Sequence, residues 1–357
     1  MACCPHVQWL RVRQDDTGFV LQYANRLHHI TLTLPRPSMQ YPSVIFFIGK
    51  NTKTKALRAL YPQNEISNRR KFGIANICID STTENEEHPV LLAECCPNYT
   101  HIKPRGGTET CHDTSSHSVA WPDVDNGGAK CQELVDHIQT RLLSLFIDVL
   151  CLFAYDYGGL DAVAERLISW ASIGIASTLP RAIRPRLLIV SNISGSDFDS
   201  EVLRFRLRVL SHTGFSESFS SLKVINVLRT SRCSPPEHFS ALGQVLNEEI
   251  RMQRVERVNT HTLFSMVHIA AFFDLALHKF AMSPLGTFDF ISSSREDFPV
   301  SPSFPHHLKS FMDVCAENRV PDQIAFEYIA SVVIMDAFPP DMHSQCCSHQ
   351  GIAAILT

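Results

Sequence analysis

Ser43–Leu60 reads S-V-I-F-F-I-G-K-N-T-K-T-K-A-L-R-A-L, and this stretch decides the fold. A continuous apolar run, Val44–Ile48, stops at Gly49, and five polar residues follow it. From Lys55 onward the apolar residues recur at the spacing of a helix. The order therefore predicts a buried strand, a polar loop and a helix over Ala56–Leu60.

The loop in this stretch is similar to a phosphate-binding P-loop, whose pattern is G-x-x-x-x-G-K-[S/T]. Gly49 and Lys55 match the pattern, and Thr54 stands where the second glycine is expected. Ala56 stands in place of the serine or threonine whose hydroxyl ligates Mg²⁺. A cationic loop that is only solvated is the favoured interpretation of these changes, and weak nucleotide binding with negligible hydrolysis is the alternative.

Two further signatures of nucleotide-binding proteins are altered in this chain. Glu94 ends an apolar run at the position where such folds place a metal-linked aspartate. The guanine-reading pattern N-K-x-D is absent after Leu187–Val190, where Asn192 alone is retained. The candidate nucleotide-binding residues are Gly49, Lys50, Lys53, Thr54, Lys55 and Asn192, the candidate metal ligand is Glu94, and the expected cofactor is GTP or ATP with Mg²⁺.

Extended apolar runs alternate with helical segments between Ser43 and Arg257. This alternation is typical of an α/β fold in which strands are buried on both faces of a sheet. The predicted strands are Val44–Ile48, Ile74–Ile79, Val90–Ala93, Ile147–Phe153, Leu187–Val190 and Val224–Leu228. Only Ile74–Ile79 and Val90–Ala93 lack a helix between them, which predicts an antiparallel hairpin. The predicted fold class is a three-layer, P-loop NTPase-like α/β sandwich with a mostly parallel sheet.

The remaining segments predict four parts of the chain. Residues 1–40 form a β-rich arm with strands near Val7–Val12, Phe19–Tyr23 and Ile30–Leu34, and residues 43–258 form the P-loop-like domain. Within that domain, residues 97–130 lack an apolar period and predict an irregular insertion. Residues 259–343 predict a helical extension, and residues 344–357 predict a tail.

Composition limits the class of protein. The chain has 357 residues, is 45% hydrophobic and 19% charged, and carries a net charge of −4. A nucleic-acid partner is not expected, because such partners select a basic surface. No apolar run approaches the roughly 20 residues of a membrane-spanning helix. Without a leader pattern, the twelve cysteines predict thiols in a reducing, cytoplasmic setting.

Two clusters of polar residues could bind a ligand or cap a helix. Cysteines and histidines gather in and near the insertion, at Cys95, Cys96, His101, Cys111, His112 and His117. They lack the paired C-x₂₋₄-C spacing that structural zinc sites use, so zinc is not expected. Asp156 and Asp161 flank a Gly-Gly pair after the fourth predicted strand, and a helix N-cap is the favoured interpretation.

Two stretches resemble a known family. Phe146–Ala154, F-I-D-V-L-C-L-F-A, runs into Gly158–Leu167, and together they resemble the N-terminal GTPase-like region of large fungal patatin-like phospholipase proteins. Ile334–His343, I-M-D-A-F-P-P-D-M-H, is similar to the stretch before the catalytic domain of those proteins. The patatin serine elbow and its Asp-Gly partner are absent, so the resemblance implies a regulatory region and not lipid hydrolysis.

The favoured interpretation of function is a degenerate P-loop module that works by binding. It would act as a regulatory or scaffold domain, with a nucleotide, a patatin-type catalytic domain or another protein as partner. Two alternatives stay open. One is a GTP or ATP hydrolase with a non-standard magnesium site that uses Lys55 and Glu94, and the other is a truncated fragment of a lipid hydrolase.

Overall fold

The computed structural model describes residues 7–15, 18–64, 66, 74–97, 114–121, 127–193, 197–227, 235–294 and 302–336. The chain divides into two compact units, Met1–Asp289 and Phe290–Thr357. The first unit contains the sheet, and the described part of the second is helical.

A single mixed sheet runs through the first unit, and its described strands follow the order β6-β2-β1-β4-β5-β3-β7-β8-β9. The strands are β1 (Gln8–Asp15), β2 (Gly18–Tyr23), β3 (Ser43–Ile48), β4 (Ala75–Ile79), β5 (Val90–Cys95), β6 (Ser115–Val119), β7 (Val149–Phe153), β8 (Arg186–Ser191) and β9 (Ser221–Asn226). The six strands predicted after residue 43 are all present. The α/β class is therefore confirmed.

The described helices lie between and after these strands. They are α1 (Arg26–Thr33), α2 (Asn51–Leu60), α3 (Gly127–His137), α4 (Ala154–Tyr157), α5 (Leu160–Ile173), α6 (Phe198–Leu210), α7 (Phe215–Ser218), α8 (Pro235–Asn259), α9 (Met266–Met282), α10 (Phe290–Ser294), α11 (Phe304–Glu317) and α12 (Asp322–Asp336). A π-helical turn, Ile138–Leu142, follows α3 directly. None of the helices in the described ranges is long and apolar enough to cross a bilayer.

The direction of the strands divides the sheet into two halves. β5, β3, β7, β8 and β9 pair with one another in parallel, as buried βαβ crossovers require. β4 is antiparallel to β5, so the predicted hairpin is confirmed. The remaining pairings, β4 with β1, β1 with β2 and β2 with β6, are antiparallel too. The sheet is therefore mixed, and the expectation of a mostly parallel sheet is wrong.

The N-terminal residues are part of this sheet and do not form a separate arm. The first two predicted strands are present as β1 and β2, which pair antiparallel, and β1 continues the sheet by pairing with β4. The strand predicted at Ile30–Leu34 is wrong, because this segment lies in and just after α1. Its alternating pattern is misleading, since Leu32 is 82% exposed while Leu27 and Ile30 are buried at helical spacing.

The predicted irregular insertion also contributes to the sheet. β6 lies within residues 97–130 and pairs with β2 along its whole length, from Phe19 opposite Val119 to Tyr23 opposite Ser115. Its sequence, Ser-Ser-His-Ser-Val, is mostly polar, and β6 is the last described strand at this edge of the sheet. Polar residues are usual on edge strands, so sequence periodicity did not reveal it.

The predicted helical extension begins later than residue 259. α9 packs against β6 and α1 and belongs to the first unit. Its Phe273 lies against the rings of Trp9, Tyr23 and Phe146, at centroid distances of 4.9, 5.1 and 5.4 Å. The second unit begins at Phe290 and comprises α10 to α12 among its described residues, with Phe311 stacked on Tyr328. The predicted tail, 344–357, lies outside the described residues.

Helices cover both faces of the parallel half. On one face Ile45 and Phe47 of β3 pack with apolar residues of α2 and α8, including Leu57 and Leu242. Alternate residues of a strand point to opposite faces, so Phe46 points to the other side, where Trp170 of α5 lies.

A buried carboxylate fixes the amino ends of the parallel strands. Asp148 precedes β7, and its Oδ2 accepts a hydrogen bond of 2.7 Å from the Val44 amide. Its Oδ1 accepts one of 2.5 Å from Nε of Arg257, near the end of α8. The Asp148 backbone carbonyl also accepts from the amide of Arg186 on β8. One residue therefore links three strands and a helix.

We predict that breaking the Asp148–Arg257 pair destabilises the first unit. Both side chains are almost fully buried, and removing one partner of a buried pair typically costs about 3–5 kcal/mol. Asp148→Asn and Arg257→Met should each lower the urea midpoint, and the double variant should lose less than the sum of the single losses. As the control, Arg204→Met breaks an exposed ion pair with Asp161 and should change stability by less than about 1 kcal/mol. Additive losses would contradict the prediction.

Candidate functional site

The junction between β3 and α2 is shorter than the P-loop that the sequence predicted. β3 ends at Ile48 and α2 begins at Asn51, so the connection consists of Gly49 and Lys50. The helix predicted from Ala56 therefore starts five residues earlier. The helical face already includes Lys53, which is buried with Ala56 and Leu57 on the side that faces the sheet. The polar residues that suggested a loop form the first turns of the helix.

A carboxylate of the chain itself caps the first turn of α2. Asp156 lies in the short helix α4 after β7, and its Oδ2 accepts hydrogen bonds from the amides of Lys50 and Lys53 at 2.7 and 3.1 Å. Its Oδ1 accepts one from the amide of Thr52 at 3.1 Å. Free N–H groups and the helix dipole make such an N-terminus a site for anions. Asp156 supplies the negative charge at this position.

The sequence favoured a helix N-cap for the acidic residues after β7 and did not name the helix. Asp156 caps α2, which lies more than 100 residues earlier in the chain. Asp161 lies in the first turn of α5 and pairs at the surface with Arg204 and Arg208. The acidic residues after β7 are visible in the sequence and indicate a cap. Which helix Asp156 caps is decided by the pairing of β7 with β3, which the sequence does not show.

Glycines allow this close approach. A Cβ atom on Gly49 would lie 2.7 Å from Oδ2 of Asp156 and 2.8 Å from Cβ of Lys53, closer than such atoms pack. On the other side, Gly158 and Gly159 have φ angles of 104° and 119°, which only glycine adopts readily. They let the chain turn sharply from α4 into α5.

Lys53 is the buried cation of the site. Its Nζ lies 2.9 Å from Oε2 of Glu94 and donates a hydrogen bond of 2.9 Å to the carbonyl of Cys95. Both charged side chains are almost completely buried, at 5% and 7% exposure. The candidate metal ligand Glu94 is therefore engaged by a lysine. Lys53 is buried because it lies on the inner face of α2.

The other predicted nucleotide-binding residues lie at the surface or within the helix. Lys50 and Lys55 are exposed, and Lys55 is in the second turn of α2, away from the N-terminal amides. The hydroxyl of Thr54 donates to the Lys50 carbonyl within the helix. Asn192 is exposed after the end of β8. Gly49, Lys50, Lys53 and Thr54 thus share one junction, and no contact brings Asn192 to it in the described structure.

A second group of polar side chains lies beside the Lys53–Glu94 pair. Nε2 of Gln139 donates to Sγ of Cys95 at 3.4 Å. Burial raises the pKa of the Cys95 thiol above its ordinary value, although the Lys53 ammonium acts in the opposite direction. Burial also raises the pKa of Tyr157, and the nearby Cys95 adds to this. Both groups therefore stay protonated at neutral pH, and Cys95 is not an activated nucleophile.

An ion pair on the helices completes the group. Asp136 pairs with Arg166, whose guanidinium lies over the ring of Trp170 at 5.4 Å from its centroid. Burial raises the pKa of Asp136, and the charge of Arg166 opposes that rise. Arg166 also donates to the carbonyl of Pro97. Sequence reasoning missed these residues, since they lie on separate helices and match no motif.

The described residues contain no group of three or more histidine, cysteine or acidic side chains arranged to hold a metal ion. His101, Cys111 and His112 of the cysteine-histidine cluster lie outside the described residues. The absence of zinc therefore stays a prediction.

Comparison with protein-family models and with curated proteins gave no match for this chain.

We predict that two lysines two residues apart on α2 differ sharply in their contribution to stability. Lys53→Met should destabilise the first unit by about 3–5 kcal/mol, because it leaves Glu94 buried without its cation. Lys55→Met should change stability by less than about 0.5 kcal/mol, because Lys55 is exposed. Urea unfolding of both variants measures the difference.

A third variant separates the loss of charge from the loss of packing. Adding Glu94→Gln to Lys53→Met removes the buried negative charge, and we expect part of the lost stability to return. Equal unfolding midpoints for Lys53→Met and Lys55→Met would show that the ion pair with Glu94 does not stabilise the first unit, and would contradict the prediction.

Proposed function

We propose that this chain is a degenerate, P-loop-like binding module that acts as a regulatory or scaffold domain and does not hydrolyse nucleotides. The observation that carries the proposal is the Asp156 carboxylate on the N-terminal amides of α2. In a P-loop those amides are the donors that hold phosphate oxygens. Here a side chain of the protein takes the role that the phosphate would have.

The strand order supports the P-loop-like part of this proposal. The central strand β3 leads into α2, and the antiparallel hairpin β4–β5 then returns so that β5 lies beside β3. This order of strand, helix and returning hairpin supports the predicted P-loop NTPase-like fold class. Helices on both faces of the parallel half agree with a three-layer arrangement.

The charges near β3 support binding without catalysis. Phosphoryl transfer needs an accessible lysine at the phosphates and a ligand for Mg²⁺. Lys53 and Glu94 neutralise each other below the surface, and Lys55 points away on the exposed side of α2. For the alternative of an active hydrolase, Glu94 would have to leave its buried pair, and nothing in the site favours that rearrangement.

The resemblance to the N-terminal region of patatin-like phospholipase proteins suggests which protein this module would regulate. Phe146–Ala154, one of the stretches that carry it, contains Asp148 and β7 and ends two residues before Asp156. A patatin-type catalytic domain would be the protein that this module regulates. The described part of the other stretch, Ile334–Asp336, lies in the second unit.

We predict that removing the Asp156 carboxylate exposes an anion site. Calorimetric titration of GTP and ATP, with and without Mg²⁺, should give a Kd of about 1 mM or weaker for the wild type, near −4 kcal/mol. Asp156→Ala should bind phosphate and nucleotides at least tenfold more tightly, because it frees amide donors and removes a repelling charge. Neither protein should hydrolyse the nucleotide.

The matched control is Asp161→Ala, which removes an aspartate five residues along the chain that contacts only surface arginines in the described structure. It should leave nucleotide binding at the wild-type level. Tight, Mg²⁺-dependent binding with turnover by the wild type would overturn the proposal and favour the hydrolase. A melting curve for each variant shows whether the loss of the cap, worth about 1–2 kcal/mol, leaves the chain folded at the titration temperature.

A further inference from the structure

A cavity of about 40 Å³ lies between the sheet and the helices on the face opposite α2 and α8. Its floor includes Phe46 and Ile48 of β3 and Leu150 of β7, and Trp170 of α5 forms part of its wall. The volume exceeds the roughly 10–15 Å³ that one water molecule needs. The mostly apolar lining favours an aliphatic occupant over a chain of waters, because each water needs several polar partners.

One polar group in the lining is buried without a partner. Gln139 is 5% exposed, and its Nε2 is engaged with Sγ of Cys95. Its Oε1 accepts no hydrogen bond from the residues that the structure describes. A buried amide oxygen normally has a donor, since leaving it unpaired costs about 1–3 kcal/mol. A donor on a bound molecule would satisfy it.

The backbone around Gln139 is unusual as well. Gln139 and Thr140, which both line the cavity, belong to the π-helical turn Ile138–Leu142. Such turns are rare and occur often at functional sites, because the extra residue per turn re-aims a side chain. Arg184 also lines the cavity, and its Nε is buried without an acceptor.

We propose that this cavity is a binding site for a small, neutral, aliphatic molecule that carries a hydroxyl group. The aliphatic part packs against Phe46, Leu150 and Trp170, and the hydroxyl donates to Oε1 of Gln139. A mostly apolar pocket with a few convergent polar groups is the usual form of a small-molecule site. The cavity adjoins the Lys53–Glu94 pair through Gln139 and Cys95, but the inference uses none of the Asp156 contacts and does not depend on the proposed function.

Two isomeric probes test the inference on the wild-type full chain. 1-Butanol and methyl propyl ether have the same formula, but only the alcohol can donate a hydrogen bond. In amide NMR spectra both should shift the indole N–H of Trp170 and the side-chain amide of Gln139 in a saturable way. The alcohol should bind roughly three- to tenfold more tightly, the effect of one hydrogen bond to a buried acceptor.

Variants then identify the two parts of the site. Gln139→Leu should remove the preference for the alcohol, so that the two isomers bind equally well. Ala176→Leu adds a larger side chain to the cavity lining and should weaken both probes at least tenfold, whereas the same change at the exposed Ala241 should affect neither.

Either of two results on the wild type would overturn the inference, even if the variants do not fold. One is the absence of saturable shifts at Trp170 and Gln139, which would indicate a dry or water-filled cavity. The other is equal affinity for the alcohol and the ether, which would mean that Gln139 does not receive a hydrogen bond from the ligand.

Discussion

The bond between the Asp156 carboxylate and the first turn of α2 is the constraint on which the carboxyl edge of the sheet depends. It joins the end of β7 to the start of the helix that follows β3. This contact satisfies amides that a helix N-terminus otherwise leaves without partners. α2 can therefore begin after a connection of only two residues. That early start turns Lys53 toward the sheet and places it against Glu94. The short connection between β3 and α2 thus leads to the burial of Lys53, and the burial of Lys53 leads to its ion pair with Glu94.

The elements of the parallel half could be predicted from the sequence because their cause is local. Strands such as Val149–Phe153 are buried on every residue, which leaves a continuous apolar run in the sequence. The predictions failed for segments whose secondary structure is determined by tertiary contacts. β6 is polar, and it is a strand only because β2 lies beside it.

The candidate site was predicted in part. The sequence indicated the junction after β3 correctly, together with its glycine and its cationic residues. It could not indicate that Lys53 is the buried lysine and Lys55 the exposed one, because that depends on the residue at which α2 begins. Gln139 gave no signal at all, since a single glutamine in an apolar helix matches no motif. Its role emerges only from the cavity and the π-helical turn.

The segment from Asp148 to Asp156 carries a carboxylate at each end of β7, and the two have different consequences. Asp148 pairs with a buried arginine and an amide, so its charge is part of the framework at the amino ends of the strands. Asp156 occupies a position that a mobile anion could fill. The stabilisation that a bound ligand gives depends on its concentration relative to its Kd, and it vanishes when the ligand is absent, whereas a side chain at that position is always present. The proposed function agrees with this arrangement, because a fold that supplies its own anion needs no bound nucleotide to cap α2.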